Sequence, residues 1–219
     1  MERSWDLNQV SDGRLYCDGD RARVGCHDCN GCSACCRGMG TSITLDPYDI
    51  YNLTKGLKCL FTDLLKESVE LSVVDGIILP NLVMEKSKES CYFLDLQGRC
   101  KIHEFRPGMC RLFPLGRIYE NNDYKYFIQI HECVKADKTK VKISRWLGMR
   151  DSKKYHHFIN VWHYFLKDIQ KIILELNDDQ EIKSMNIKIL NTFFVEAYDT
   201  GEDFYQQFDK RVYEFNKDL

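Results

Sequence analysis

Nine of the eleven cysteines in this chain fall into two sets, a dense run Cys26, Cys29, Cys32, Cys35 and Cys36 and a spaced series Cys91, Cys100, Cys110 and Cys133. Thiolate sulfur is a soft ligand suited to tetrahedral zinc or to iron–sulfur clusters. Each C-x2-C step lets one tight loop offer two sulfurs to one centre, so the chemistry expected of these residues is metal ligation. Neighbouring side chains point to opposite sides of an extended chain and diverge in a helix. Cys35 and Cys36 are therefore expected to face different centres, or one to ligate while the other lies beside it in reserve. Eight of the nine thiols would fill two four-cysteine sites; one iron–sulfur centre plus a further site is the alternative.

Within the run, Cys26-x2-Cys29-x2-Cys32-x3-Cys36 has the spacing with which bacterial ferredoxins wrap an iron–sulfur cluster, although Arg37 stands where a proline usually follows. Clustered thiolates carry excess negative charge, and cations lie beside them in sequence. Arg37 follows the pair, Arg99 precedes Cys100, and Arg106 and Arg111 bracket Cys110. Arg37, Arg106 and Arg111 are expected to balance that charge or to orient a substrate, since a forked guanidinium also fits a carboxylate. His103 and His131 are candidates for mixed ligation or proton transfer, with simple packing as the alternative. Cys17 and Cys59 have no ligand-spaced neighbours and read as isolated thiols. His27 is read as incidental, and His156, His157 and His163 as surface or core residues of a helix.

These side chains need elements to hold them. Residues 1–25 are polar and glycine-dotted and read as an arm, and the stretch to Gly40 is too rich in Gly and Cys for regular structure. Asp46-Pro47 is a helix start, with Asp as cap and Pro in the first turn. A short helix is expected over 61–67. Val69–Val74 and Ile77–Leu82 flank Asp75-Gly76, which tolerates positive φ and predicts a hairpin. Further hairpins are expected around Gln97-Gly98 and Asn121-Asn122-Asp123. After Lys142 cysteine vanishes, and Tyr155, Phe158, Ile159, Trp162, Phe165, Ile169 and Ile173 recur at helical spacing. Two more helices are expected over 186–198 and 204–215. The reading is one α+β domain over 1–219, of short hairpins and metal-bound loops in 26–143 backed by a helical layer in 144–219.

The quoted segments resemble the YkgJ-like CxxCxxCC cysteine-cluster family of zinc- or iron-chelating proteins, which includes flagellin lysine N-methylases. Cys29-Asn-Gly-Cys32-Ser-Ala-Cys35-Cys36-Arg37 is similar to the motif that names the family. Cys91-Tyr-Phe-Leu-Asp95, Gly98-Arg99-Cys100-Lys-Ile-His103, Arg106-Pro107-Gly-Met-Cys110-Arg111-Leu-Phe113-Pro114 and His131-Glu132-Cys133 extend the resemblance. It implies metal binding by these cysteines and, for the methylase branch, an iron–sulfur centre coupled to methyl transfer from S-adenosylmethionine to lysine in a protein substrate.

Bulk properties narrow the partners. With 31 basic and 33 acidic side chains the formal charge is −2, which gives no general attraction to nucleic acid or an anionic membrane. The amino terminus lacks an apolar signal segment, so a cytoplasmic protein is expected, and there close C-x2-C repeats favour metal over disulfides. The forward C-x3-C-x2-C spacing of radical enzymes is absent, as is a glycine-rich strand-to-helix nucleotide fingerprint. Three functions follow: a metal or iron–sulfur binding protein, a lysine N-methylase-like enzyme using S-adenosylmethionine, or a structural zinc module for protein binding.

Overall fold

The computed structural model of the chain describes residues 6–26, 32–85, 89–217 and 219. Its elements are, in chain order, α1 (Leu7–Val10), β1 (Arg21–Gly25), α2 (Pro47–Leu57), α3 (Phe61–Leu64), β2 (Val69–Val74), β3 (Ile77–Leu82), β4 (Met84–Glu85) and β5 (Ser90–Cys91). There follow α4 (Gly108–Leu112), β6 (Leu115–Glu120), β7 (Asp123–Ile128), β8 (Thr139–Lys142), α5 (Ile143–Leu147), α6 (Ser152–Glu175), α7 (Asp179–Leu190) and α8 (Phe204–Lys217). The strands pair as antiparallel two-stranded ribbons, β1 with β8, β2 with β3, β4 with β5 and β6 with β7. This is the expected α+β class. The chain forms two compact units, 1–40 with 84–152, and 41–83 with 153–219.

The first unit contains the eight candidate ligands that lie among the described residues. Its β6–β7 hairpin closes on Asn121 and Asn122, both at positive φ, 53° and 58°. Asn tolerates that left-handed region because its short polar side chain bonds locally. The hairpin buries Leu115, Tyr124 and Tyr126, and the Tyr126 hydroxyl donates to Asp18 Oδ1 at 2.9 Å. Residues 21–25, read from sequence as the end of a polar arm, are a strand instead. Alternation of Arg21, Ala22, Arg23 and Val24 puts Ala22 and Val24 in the core, and β8 repeats the pattern around Val141. The Gln97-Gly98 segment closes a single bridge, Leu94 to Cys100, while Cys91 pairs with Met84 across β4–β5.

In the second unit Asp46 and Asp49 form a reciprocal capping box at the start of α2, with Pro47 in its first turn. The β2–β3 hairpin has the expected register from Val69↔Leu82 to Val74↔Ile77, and Asp75 and Gly76 turn at φ 52° and 84°. Asn186 of α7 holds this turn: it accepts from the Ile78 N–H at 2.6 Å and donates to the Gly76 carbonyl at 3.2 Å. Phe158 of α6, Phe208 of α8 and Phe193 centre the core, with Phe158 and Phe208 edge-to-face at 4.6 Å. The helix expected over 186–198 begins earlier, at Asp179, and loosens into a π turn over Asn191–Val195. The short helix expected to Glu67 ends at Leu64.

Candidate metal centre

Cys35 and Cys36 lie on a single 3₁₀ turn, Ala34–Cys36. Two backbone contacts fasten the end of this turn to the strand that carries Cys91. Arg37 bridges to Ser90, and the Gly38 N–H donates to the Glu89 carbonyl at 2.7 Å. Cys91 itself is buried on β5, and its carbonyl receives the Leu94 N–H at 2.9 Å, which starts the loop leading to Cys100. Asp95 holds that loop by accepting from the Gln97 and Arg99 N–H groups at 2.9 and 2.7 Å. Gly98 at its tip has a φ of 74°, the left-handed conformation that favours glycine, and lies near Ser33. The dense run and the first half of the spaced series thus meet.

The electrostatics report the same meeting. A hydrogen bond with Cys36, burial and the charge of Cys36 push the Cys35 thiol up, while Arg106 opposes them. Burial raises Cys91, with Cys100 and Cys35 adding to it against the Phe93 N–H and Lys101. Burial also raises Cys100, reinforced by Cys35 and Asp95 and opposed by the Ile102 N–H and Arg106. Cys35, Cys36, Cys91 and Cys100 therefore form one neighbourhood. Cys36 is the strongest influence on the Cys35 thiol, as befits its neighbour on the same turn.

A second neighbourhood also includes Cys35. Cys26, buried at the end of β1, joins Cys32, Cys35 and Cys133 in lining a cleft of about 20 Å³, room for a water or a single ion. Phe113, Pro114, Val134, Lys135 and Trp146 complete its walls. Trp146 of α5 is oriented by donating from Nε1 to the Phe113 carbonyl at 3.1 Å. Phe113 and Pro114 belong to one of the segments quoted from the sequence, whereas Val134, Lys135 and Trp146 gave no signal there. Trp146 sits on a five-residue helix too short to show periodicity.

The remaining candidates are placed as follows. Cys110 is half-buried on α4 and is not among the cleft-lining residues. Cys29 and His27 lie outside the described residues. Cys17 is exposed, and Cys59 belongs to the other unit. Arg106 has a buried Nε with no partner among the described residues, and its Nη1 lies 2.8 Å from His103 Nε2, so His103 accepts as the neutral ring. Arg111 instead ties down backbone, donating to the Arg106, Glu104 and Leu147 carbonyls. Arg37 is exposed and donates to Ser33 Oγ at 3.3 Å.

The donor set fits a thiolate-bound metal. No described cysteine is in a disulfide, and the sulfurs converge on two adjoining neighbourhoods from separate chain segments. Among the described residues, no three His, Cys, Asp or Glu side chains already stand at metal-bonding geometry. The thiols are gathered by backbone contacts, and ligation would draw them closer by side-chain rotation. Among the described residues no helix is long and apolar enough to cross a membrane. A family model named CxxCxxCC and described as "Putative zinc- or iron-chelating domain" matches residues 28–142, a little over half the chain. No curated protein and no solved structure matches it.

Proposed function

We propose that this chain, which belongs to the CxxCxxCC family, is a metal-binding protein whose two thiol neighbourhoods hold a paired centre with Cys35 as their common member. The position of Cys35 carries this reading. It lines the cleft with Cys26, Cys32 and Cys133, and it interacts electrostatically with Cys36, Cys91 and Cys100. An all-sulfur donor set is the one that zinc and iron–sulfur clusters both take. Cys29 and Cys110 complete the set of nine candidates, supported by the sequence spacing that places them in the family motifs. A bound iron–sulfur centre would supply electron storage, whereas closed zinc sites would supply rigidity.

The chain's own residues do the rest. Arg106, whose charge bears on both Cys35 and Cys100, would offset thiolate charge. Arg37 and Arg111 are weaker candidates for that role, because Arg37 is exposed and Arg111 is tied to carbonyls.

Anaerobic purification, elemental analysis and absorption spectroscopy test the reading. Bound iron with visible sulfur-to-iron charge transfer, or bound colourless zinc, is the expected result; protein with neither metal rejects it. Cys35→Ser is expected to lower metal content further than Cys133→Ser or Cys91→Ser, each of which touches one neighbourhood. Loss no greater than in Cys17→Ser would remove Cys35 from the centre. Calorimetry of metal-loaded protein with S-adenosylmethionine separates a lysine N-methylase-like enzyme, which binds it, from a metal or electron carrier, which does not.

A further inference from the structure

The β1–β8 ribbon of the cysteine-bearing unit presents four cations on one face. Arg21 stands directly across from Lys142, and Arg23 directly across from Lys140. All four are exposed, while Ala22 and Val24 between them are buried, so the ribbon has an apolar inner face and a wholly cationic outer one. Like charges directly opposite each other on antiparallel strands are destabilising, since their Cβ atoms sit about 5 Å apart. Among the described residues none of the four is paired with a carboxylate. The acid next to Arg21, Asp20, accepts from the Cys17 N–H at 2.7 Å instead. The local excess extends further: this unit has 19 basic and 15 acidic side chains, net +4, although the whole chain is −2.

We propose that this face is a docking strip for an extended acidic segment of a partner protein. The match is one of spacing as well as sign. Alternate residues of a strand repeat every 6.6 Å or so, which sets the separation of Arg21 from Arg23 and of Lys140 from Lys142. An extended peptide with Asp or Glu at alternate positions repeats at the same interval, so its carboxylates fall in register with the cations. A nucleic-acid strand fits less well, because the outer face offers no aromatic ring on which a base could stack. The ribbon also leads to the thiols, since β1 runs directly into Cys26, and Lys135 before β8 lines the same cleft. A bound partner would therefore lie beside the proposed metal centre, although its docking depends on the ribbon and not on the metal.

Fluorescence anisotropy with a labelled peptide of alternating Glu and Ser, using the full chain as purified, tests the proposal. Binding is expected, and it is expected to weaken as salt rises. The variant R21Q/R23Q/K140Q/K142Q should lose about tenfold or more in affinity, with a melting temperature no lower than the parent because the like-charge pairs are relieved. K125Q/R150Q, which removes two exposed cations elsewhere in the unit, should bind as the parent does. Carbodiimide coupling of the unmodified protein to the same peptide provides a readout that needs no variant, with cross-links expected at Lys140 and Lys142. Parental affinity in the quadruple variant, cross-links mainly at other lysines, absence of peptide binding, or tighter binding of an oligothymidylate strand would each overturn it.

Discussion

Arg106 is the side chain whose removal best separates charge compensation from simple packing. Its Nε is buried without a partner among the described residues, and its charge bears on both Cys35 and Cys100. Arg106→Gln keeps much of the bulk and removes the cation. Outer partners of metal ligands are worth about tenfold or more in affinity, so a chelator competition should strip metal from Arg106→Gln at about a tenth of the chelator the parent needs. Arg37→Gln should leave the competition unchanged. The nine ligand candidates were legible because cysteine type and spacing carry the signal directly. Their partition was not, because it depends on a 3₁₀ turn and on a backbone bond between Gly38 and Glu89 that no local pattern announces.

At the scale of elements, two substitutions in the second unit test how its parts are held. Asn186 is only 3% exposed and makes three bonds to main-chain groups, at Ile78, Gly76 and Ile182. Asn186→Ala strands those groups in the interior and is expected to cost about 1–3 kcal/mol, read by urea unfolding; no change in the midpoint would show that the β2–β3 turn does not depend on it. Asp46→Ala removes one half of the capping box of α2 and should cost about 1 kcal/mol. The long helix α6, the α2 start and the two Asx-containing hairpins were readable because each has a strong local signal: 3.6-residue periodicity, an Asp-Pro cap, or residues that accept positive φ. The strands β1 and β8 were missed because four or five residues give too short an alternation, and each needs the other, more than a hundred residues away, to become a strand. Pro80 likewise lies inside β3, where its carbonyl still serves by accepting from the Leu45 N–H at 2.8 Å.

At the scale of the whole molecule, the fall in cysteine after Lys142 marked where ligands end but not how the chain divides. Residues 41–83 belong with the carboxyl-terminal helices, because β3 is buried along nearly its whole length and its turn is held by α7. The two units rest on different physics. One gathers thiols around short ribbons; the other has an aromatic core in which Phe158, Phe193 and Phe208 are fully buried. Metal removal by a chelator should therefore speed amide hydrogen exchange in residues 32–40 and 89–135 and leave α6 and α8 protected. Uniform deprotection across both would contradict the division. Phe208→Ala should do the reverse, costing about 3–5 kcal/mol in the aromatic core while metal content holds.

The closing of the first unit by β8 upon β1 also fixes a timetable for synthesis. Cys26 and Cys32 leave the ribosome about a hundred residues before Cys133, and at 5–20 residues per second that interval is roughly 5–20 s. During it the early thiols have no completed cleft, while the whole of 41–83 emerges between them and their partners. On the proposed reading the nascent chain would carry closely spaced thiols through that interval, because the cleft that Cys26, Cys32 and Cys35 line is complete only once Cys133 and Trp146 have been made.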